Sequence, residues 1–239
     1  MDPSQYRGIT LLSVMYKAFC RILGSRLVGI IESEKLLSDE QNGFRKGRGC
    51  IDHVLVLNLL SEIRMKAKKE TYMCFIDLKK AYDSVERDRL WGKLESMGIQ
   101  GGFLDILKEI YRDVKCQVKV NEDISRQLSV GRGLRQGCVL STTLFSLFID
   151  DIGSSLKDNS RGFDLGNSKM SHLLYTDDLV LMEANGEDLQ KSLDIVGSWC
   201  DANSLIINNN KSGVLHVRPK KKPRTTQVFT IKGDNSPSS

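Results

Sequence analysis

Two acidic stations about a hundred residues apart hold the side chains best suited to chemistry: Asp77 in FIDLKKAYDSV, and Asp177 with Asp178 in SHLLYTDDLVLM. Each closes an apolar run, Tyr72–Ile76 in the first case and Leu173–Tyr175 in the second. Such runs, bounded by polar residues, predict buried strands. Apolar runs on both sides of Thr176-Asp177-Asp178 predict a hairpin with the acids at its turn. Strands lying side by side would bring Asp77, Asp177 and Asp178 together. Like charges 4 Å apart repel by roughly 1 kcal/mol in water and about 4 kcal/mol at an effective dielectric of 20. Divalent cations would relieve that repulsion. Mg²⁺ favours one or two carboxylates plus substrate phosphates, and a pair of such ions is the apparatus of in-line phosphoryl transfer.

An Asp at a strand end can equally be a turn former or a helix N-cap. Asp83 fits that structural role. Asp83-Ser84-Val85-Glu86 has capping-box spacing ahead of a helix bearing Leu90, Trp91, Leu94 and Met97, with Gly98 placed to stop it. Asp77 precedes no such helix directly, and Asp178 re-enters an apolar strand.

The elements that must position these acids are legible in outline. Ser13 can cap a helix with Met15, Ala18, Phe19, Ile22 and Leu23 at helical spacing, extending toward Leu27 and Ile30. After the Gly-punctuated loop 41–49, Ile51, Val54, Leu55, Leu59 and Ile63 predict a long helix, apolar on one side. A short helix is expected from Phe103 to Tyr111. Strands 117–120 and 127–130, with a turn at Asn121-Glu122-Asp123, predict a hairpin. A Gly/Arg-rich loop, 131–137, enters an apolar helix from Leu140 to Ile149. Beyond the acidic hairpin come a helix with Leu189, Leu193, Val196 and Trp199 and a strand at Leu205–Ile207. Interleaved helices and hairpins argue for an antiparallel α+β sheet rather than a parallel one.

At 239 residues and 40% hydrophobic content the chain can bury a substantial core. A net charge of +5 and a pI near 8.8 are compatible with a polyanionic partner without demanding one. The six cysteines, Cys20, Cys50, Cys74, Cys116, Cys138 and Cys200, form no CxxC pair and read as reduced thiols. Cys50-Ile51-Asp52-His53 is a lone CxxH with no second half for zinc. No apolar stretch approaches transmembrane length, and no signal-peptide layout opens the chain. The expectation is a soluble protein of the cytosol or nucleus, with no membrane partner.

The succession YRGITLL, NGFRKGRGC, FIDLKKAYDSV, GLRQGCVLS, YTDD and NNNKS resembles the reverse transcriptase domain of non-LTR (LINE-type) retrotransposons, from Tyr6 to about Ser212. Each motif alone is weak; six in order are a strong signal. The resemblance implies a right-hand polymerase, with fingers mainly in 1–71, palm mainly in 72–218, a basic and polar tail in 219–239, and no thumb. A fragment or truncated copy of an element is therefore expected. It further implies RNA-directed DNA polymerisation: two-metal transfer of dNTPs to a DNA primer 3′-hydroxyl on an RNA template, with two Mg²⁺ ions, or Mn²⁺ in their place.

The implied site follows the motifs. Asp77 and Asp177 would ligate both metals, Asp178 would support them, and the Leu78 carbonyl would complete a metal shell. Tyr82, beside Ala81, would be a steric gate beneath the incoming sugar; the bare residue could instead be a core aromatic. Gln136 and Gly137 would lie along nucleotide and template, Gly permitting close approach. Arg45, Lys46 and Arg48 would be fingers cations for the triphosphate. Lys211 would donate a proton to pyrophosphate, or cap a strand end as a surface lysine. The Pro219–Arg224 run suits nuclear import, nucleic acid or a solvated linker. Ser141-Thr142-Thr143 departs from the Ser-Pro usual after QGxxL, and Thr176 stands where Ala is common. Two alternatives accompany this reading. An RNA-directed RNA polymerase would use Asp77 with Asp83, against which Tyr82 and YTDD argue. A catalytically inactive relic would bind RNA or partners through its basic fingers.

Overall fold

The computed structural model describes residues 9–165 and 168–231. Tyr6 to Gly8 of the YRGITLL motif and the polar stretch Asp234–Ser239 lie outside the described residues. Helix α1 (Val14–Glu34) begins where Ser13 Oγ accepts the Tyr16 N–H at 3.2 Å, and it buries Cys20, Leu23, Leu27 and Ile31 at helical spacing. Helix α2 (Cys50–Lys66) forms as its pattern predicts, but its apolar stripe faces out. Leu60 is its buried residue, while Ile51, Leu55 and Ile63 are exposed.

Strand β1 (Thr71–Ile76) leads into α3 (Ala81–Ser84), α4 (Arg87–Ser96) and α5 (Gly102–Arg112). Asp83 does not cap α4. It lies within the single turn of α3, and Glu86 holds the cap position, its side chain paired with Arg89 at 2.6 Å. Val85 and Glu86 are extended and interrupt the helix between them, which breaks the capping-box geometry. Gly98 stops α4 as expected, at φ 84°.

The predicted hairpin after α5 has a different register. Strand β2 (Lys115–Cys116) pairs with β5 (Leu128–Ser129), while β3 (Lys119–Val120) turns at Asn121-Glu122 and pairs with β4 (Asp123–Ile124). Asn121 takes φ 55°, a conformation Asn tolerates, and the turn is one residue shorter than expected, with Asp123 already in β4.

Helix α6 (Val139–Ile149) is the centre of the core. Leu140, Leu144, Phe145, Leu147, Phe148 and Ile149 are wholly enclosed, as an all-round apolar helix must be. Helix α7 (Asp151–Asn159), which the sequence pattern did not signal, follows it directly. Together Val139–Asn159 are long and apolar enough to cross a membrane, contrary to the sequence reading. Of its most apolar 18-residue window, 72% is buried inside the fold, which marks it as a core element. A small hairpin, β6 (Phe163–Leu165) with β7 (Ser168–Met170), precedes the main sheet's β8 (His172–Tyr175) and β9 (Asp178–Glu183).

Helix α8 (Gly186–Ala202) is capped by Asn185 and buries Leu189, Leu193, Val196 and Trp199. The strand expected at 205–207 is a single bridge, Leu78 to Ile207; the ladder partner of β1 is instead β10 (Gly213–Val217). The main sheet runs β10-β1-β9-β8, antiparallel throughout.

Strand alternation gives that sheet two unlike faces. Tyr72, Cys74 and Ile76 of β1 and Leu179 and Leu181 of β9 pack into the helical core. Met73, Met182 and Leu173 point the other way, onto Leu60 of α2 and Phe163. Further along that second face the cover ends, and Phe75 is 40% exposed. The acids emerge at this open end.

Candidate active site

The β1–β9 ladder pairs Phe75 with Val180 and Ile76 with Leu179. One step on, the register sets Asp77 opposite Asp178, on the open face shared by Phe75 and Val180. Tyr175 and Asp178 pair across the hairpin, leaving Thr176 and Asp177 as its two turn residues. Thr176 has φ 61° and Asp177 does not share that sign, a pattern in which Gly normally takes the first place. The acids expected to converge are thus neighbours in backbone register.

Asp77 is fixed from the far end of the chain. Its Oδ2 accepts the Asn208 side-chain amide at 2.7 Å, its carbonyl accepts the Asn208 N–H at 2.8 Å, and its own N–H donates to Ser212 Oγ at 3.1 Å. The acidic turn is held from the loop that follows α1. Gln41, with no exposed surface, accepts the Thr176 N–H on its Oε1 at 2.9 Å and the Gly43 N–H at 2.8 Å. Backbone bonds from Asn42 N to Leu174 O and from Leu174 N to Glu40 O, both 2.9 Å, add this loop to the free edge of β8.

A cleft of about 300 Å³ opens beside the turn. Tyr175, Thr176, Asp177 and Asp178 form one wall; Arg135, Gln136 and Gly137 form another; Tyr82 and Phe44 also line it. Tyr82 is half-buried and stacks on Phe145 of α6, ring centres 4.6 Å apart. It is therefore a packed aromatic with one edge of the cleft, and both readings of it have a physical basis.

The loop carrying Gln136 is clamped beneath. Arg87, 9% exposed, donates to the carbonyls of Gly133, Tyr111, Val130 and Arg132 at 2.9–3.3 Å. Burial lowers its pKa. Gly133 has φ 84°, and a Cβ there would lie 2.8 Å from the Asp83 carbonyl oxygen. Gly137 has φ 100° and approaches the Thr10 carbonyl, whose residue also donates its N–H to Gln136 O at 3.2 Å. Arg135 is held over the rings of Tyr16 and Tyr111 at 4.4 and 5.6 Å.

Other expected residues do not line this cleft. Arg45 forms a fork on both carboxylate oxygens of Glu32 and donates to the Ser38 carbonyl, so its side chain is only 8% exposed. Arg48 pairs with Asp39 at 2.7 Å, and Lys46 is exposed on the same loop. Ala81 is buried at the start of α3, and Leu78 bridges to Ile207. Lys211 is exposed in the turn that follows Asn208.

Carboxylate oxygens are what a hard divalent cation takes, and Asp77 and Asp178 offer them from adjacent strands. Among the described residues, no group of three or more His, Cys, Asp or Glu side chains is drawn into metal-holding geometry. The strands bring Asp77 and Asp178 alongside each other with Asp177 in the adjoining turn, and Asn208 holds one Asp77 oxygen. That donor set suits an ion that completes its shell with substrate phosphates and water, rather than one caged by protein.

The reverse transcriptase (RNA-dependent DNA polymerase) family matches residues 2–231. The chain belongs to that family. It is 31% identical over 233 residues to the retrovirus-related Pol polyprotein from type-1 retrotransposable element R2 of Nasonia vitripennis, covering 97% of this chain and 22% of that protein. It is 27% identical over 241 residues to the probable RNA-directed DNA polymerase from transposon BS of Drosophila melanogaster, covering 97% and 24%. The chain thus spans under a quarter of the length of these curated relatives. Its fold is similar to that of apo telomerase from Candida tropicalis, at TM-score 0.59 and 15% identity, over 87% of this chain and 42% of that one. The motifs and relatives place it as a reverse transcriptase domain of the non-LTR retrotransposon kind. Reverse transcriptases generally use divalent metal ions.

Four supports of this reverse transcriptase domain were not picked out by sequence reasoning: Gln41, Arg87, Asn208 and Ser212. Gln41 stands just outside the NGFRKGRGC motif, and Asn208 and Ser212 fall in the NNNKS segment. Their residue types gave no hint of partners more than a hundred residues away. Arg87 carried a weak signal: an Arg two residues beyond Val85, followed by the apolar Leu90 and Trp91, sits at the boundary of a buried helix face.

Proposed function

We propose that the chain catalyses RNA-templated DNA synthesis, adding deoxynucleotides to a primer 3′-hydroxyl. The observation that carries the reading is the register of β1 against β9, which sets Asp77 opposite Asp178 while the intervening turn presents Asp177 to a cleft lined by Tyr82 and Gln136. Asp77, Asp177 and Asp178 are the acids of the reaction, with the Leu78 carbonyl beside Asp77. Two Mg²⁺ ions bound there would lower the pKa of the primer hydroxyl and neutralise charge on the triphosphate. The chain's own work is positional. Asn208 and Ser212 hold Asp77 in place; the Tyr82 ring, braced by Phe145, sits under the sugar and excludes a 2′-hydroxyl; Gln136 and Gly137 lie along the base and backbone of the paired template.

Lys46 and Arg48 offer positive charge to the triphosphate from the fingers loop, and Lys211 faces solvent near Asp77 as a proton donor to pyrophosphate. Arg45 shapes that loop through Glu32. The RNA template, DNA primer and dNTPs are the partners this reading requires; telomerase from Candida albicans, a fold neighbour, has been solved with a fragment of telomeric RNA.

Primer extension on an RNA template with dNTPs and Mg²⁺ tests the reading. Asp177→Asn removes one carboxylate charge at nearly constant volume, so extension should be abolished while the melting curve is retained. Undiminished extension by Asp177→Asn at limiting Mg²⁺ would refute the assignment. A chain that binds RNA but extends no primer would favour an inactive, RNA-binding relic.

A further inference from the structure

We propose that Gln41 is a positioning residue for the acidic turn: a side-chain amide in the fingers loop that holds Thr176 in a left-handed conformation and so places Asp177. The inference rests on the assignment of Asp177 given above. Three observations lead to it. First, Thr176 occupies φ 61°, a conformation that β-branched residues avoid and that two-residue hairpin turns ordinarily give to Gly. A non-Gly residue held there is strained, at a cost that surrounding contacts must offset. Second, the Thr176 N–H is taken by Gln41 Oε1 at 2.9 Å, with Gln41 wholly buried. The same oxygen takes the Gly43 N–H at 2.8 Å, so one acceptor clamps the fingers loop and the turn together. Third, the space at this contact is filled. A Cβ on Gly43 would lie 2.3 Å from Thr176 Oγ1 and 2.9 Å from Gln41 Oε1. Only glycine lets the loop come this close.

The geometry is directional. The loop pairs its backbone with β8 at Leu174, and Gln41 then reaches past the end of that strand to the turn. A shift of the fingers loop must therefore either carry the turn with it or break the Gln41 bond. Thr176 Oγ1 and Gln41 Nε2 are buried without partners, so neither side chain has another polar contact there to take over the task.

The test compares Gln41→Met, Gln41→Glu, and Gln41→Met combined with Thr176→Gly, with Asp177→Asn as reference. Methionine fills the space but offers no acceptor oxygen. Gln41→Met should lower kcat for primer extension at least tenfold with KM for dNTP within twofold, and should speed amide exchange in the segment 173–178. Adding Thr176→Gly should restore kcat, because Gly adopts the turn unaided, while exchange stays fast. A Gln41 that merely packed the fingers would not be rescued by a change at position 176. Should Gln41→Met fail to melt cooperatively, Gln41→Glu takes its place. It retains an acceptor oxygen, and slow exchange at 173–178 is expected; fast exchange in that variant would overturn the proposal. Unchanged exchange and kcat in folded Gln41→Met would also overturn it. Full activity of Asp177→Asn would instead remove the assignment of Asp177, leaving the exchange experiment to decide whether Gln41 holds the turn.

Discussion

Asn208 donates its side-chain amide to Asp77 Oδ2 at 2.7 Å across 131 residues of chain, and its backbone N–H to the Asp77 carbonyl at 2.8 Å. A charge-assisted bond of this length fixes the carboxylate's rotation as well as its position. Removing it should cost function before it costs fold. Asn208→Ala is expected to reduce primer extension about 10- to 100-fold, the range seen when partners that orient a metal-binding group are lost. Melting temperature and Mg²⁺ titration of extension, measured together, check this. A lower rate should come with a higher Mg²⁺ requirement.

Tyr82 serves two surfaces at once. Its ring stacks on Phe145 at 4.6 Å and also lines the cleft. Tyr82→Val should remove about 0.5–1.5 kcal/mol of ring stacking beyond the loss of buried area. It should also admit a 2′-hydroxyl, raising ribonucleotide use relative to deoxynucleotide tenfold or more. Single-nucleotide incorporation with each sugar reads the second effect, and chemical denaturation reads the first. Loss of stability with unaltered sugar preference would leave Tyr82 a core aromatic only.

Arg87 organises the loop that ends at Gln136. Substitution by Met would leave four carbonyls short of a donor, the buried ones of Gly133 and Tyr111 and the half-buried ones of Val130 and Arg132. Unsatisfied buried acceptors cost about 1–3 kcal/mol each, partly recovered by relaxation and water, so a destabilisation on the order of 3–5 kcal/mol is expected. Gly133→Ala should destabilise through the same loop, since its new Cβ would meet Asp83 backbone at 2.8 Å at a positive φ. Urea melts of both variants provide the check; a change under 1 kcal/mol in either would contradict the clamp.

His172 makes stability depend on pH. It has no exposed surface, and burial drives its pKa down to about 4; Glu40 opposes that fall and Lys157 adds to it. The folded state therefore resists a proton that the unfolded chain accepts near pH 6.5. Its contribution is present above pH 6.5 and is lost as the pH falls toward 4, by about 3 kcal/mol in total. Asp150 and Glu183 have pKa values raised by burial, which acts in the opposite sense. The decisive measurement is the difference in pH slope between the natural chain and His172→Leu from pH 7 to 4. The variant should lose less stability on acidification.

Much of the site was legible because local rules suffice for it. Apolar runs ending in Asp announce strand ends, and the Thr176-Asp177 turn between two such runs announces a hairpin. Gly98 and Ser13 mark helix limits by their backbone and capping preferences. Where the pattern misled, a non-local contact had overridden it. Leu205–Ile207 has strand composition, yet β10 takes its place beside β1. The α2 stripe has core composition, yet most of it faces out. Asp83 has capping-box spacing, yet the chain extends at Val85 before α4 begins.

The sequence alone determined which side chains could carry the chemistry, since carboxylates, an aromatic close after the first of them and a Gly-rich loop are matters of residue type and order. Only the tertiary structure decided what holds them. The bonds from Gln41 to the acidic turn and from Asn208 to Asp77 join residues more than a hundred positions apart. No spacing rule reaches that far, because such partners meet through the register of the sheet and the packing of the loop at 40–43 along its edge.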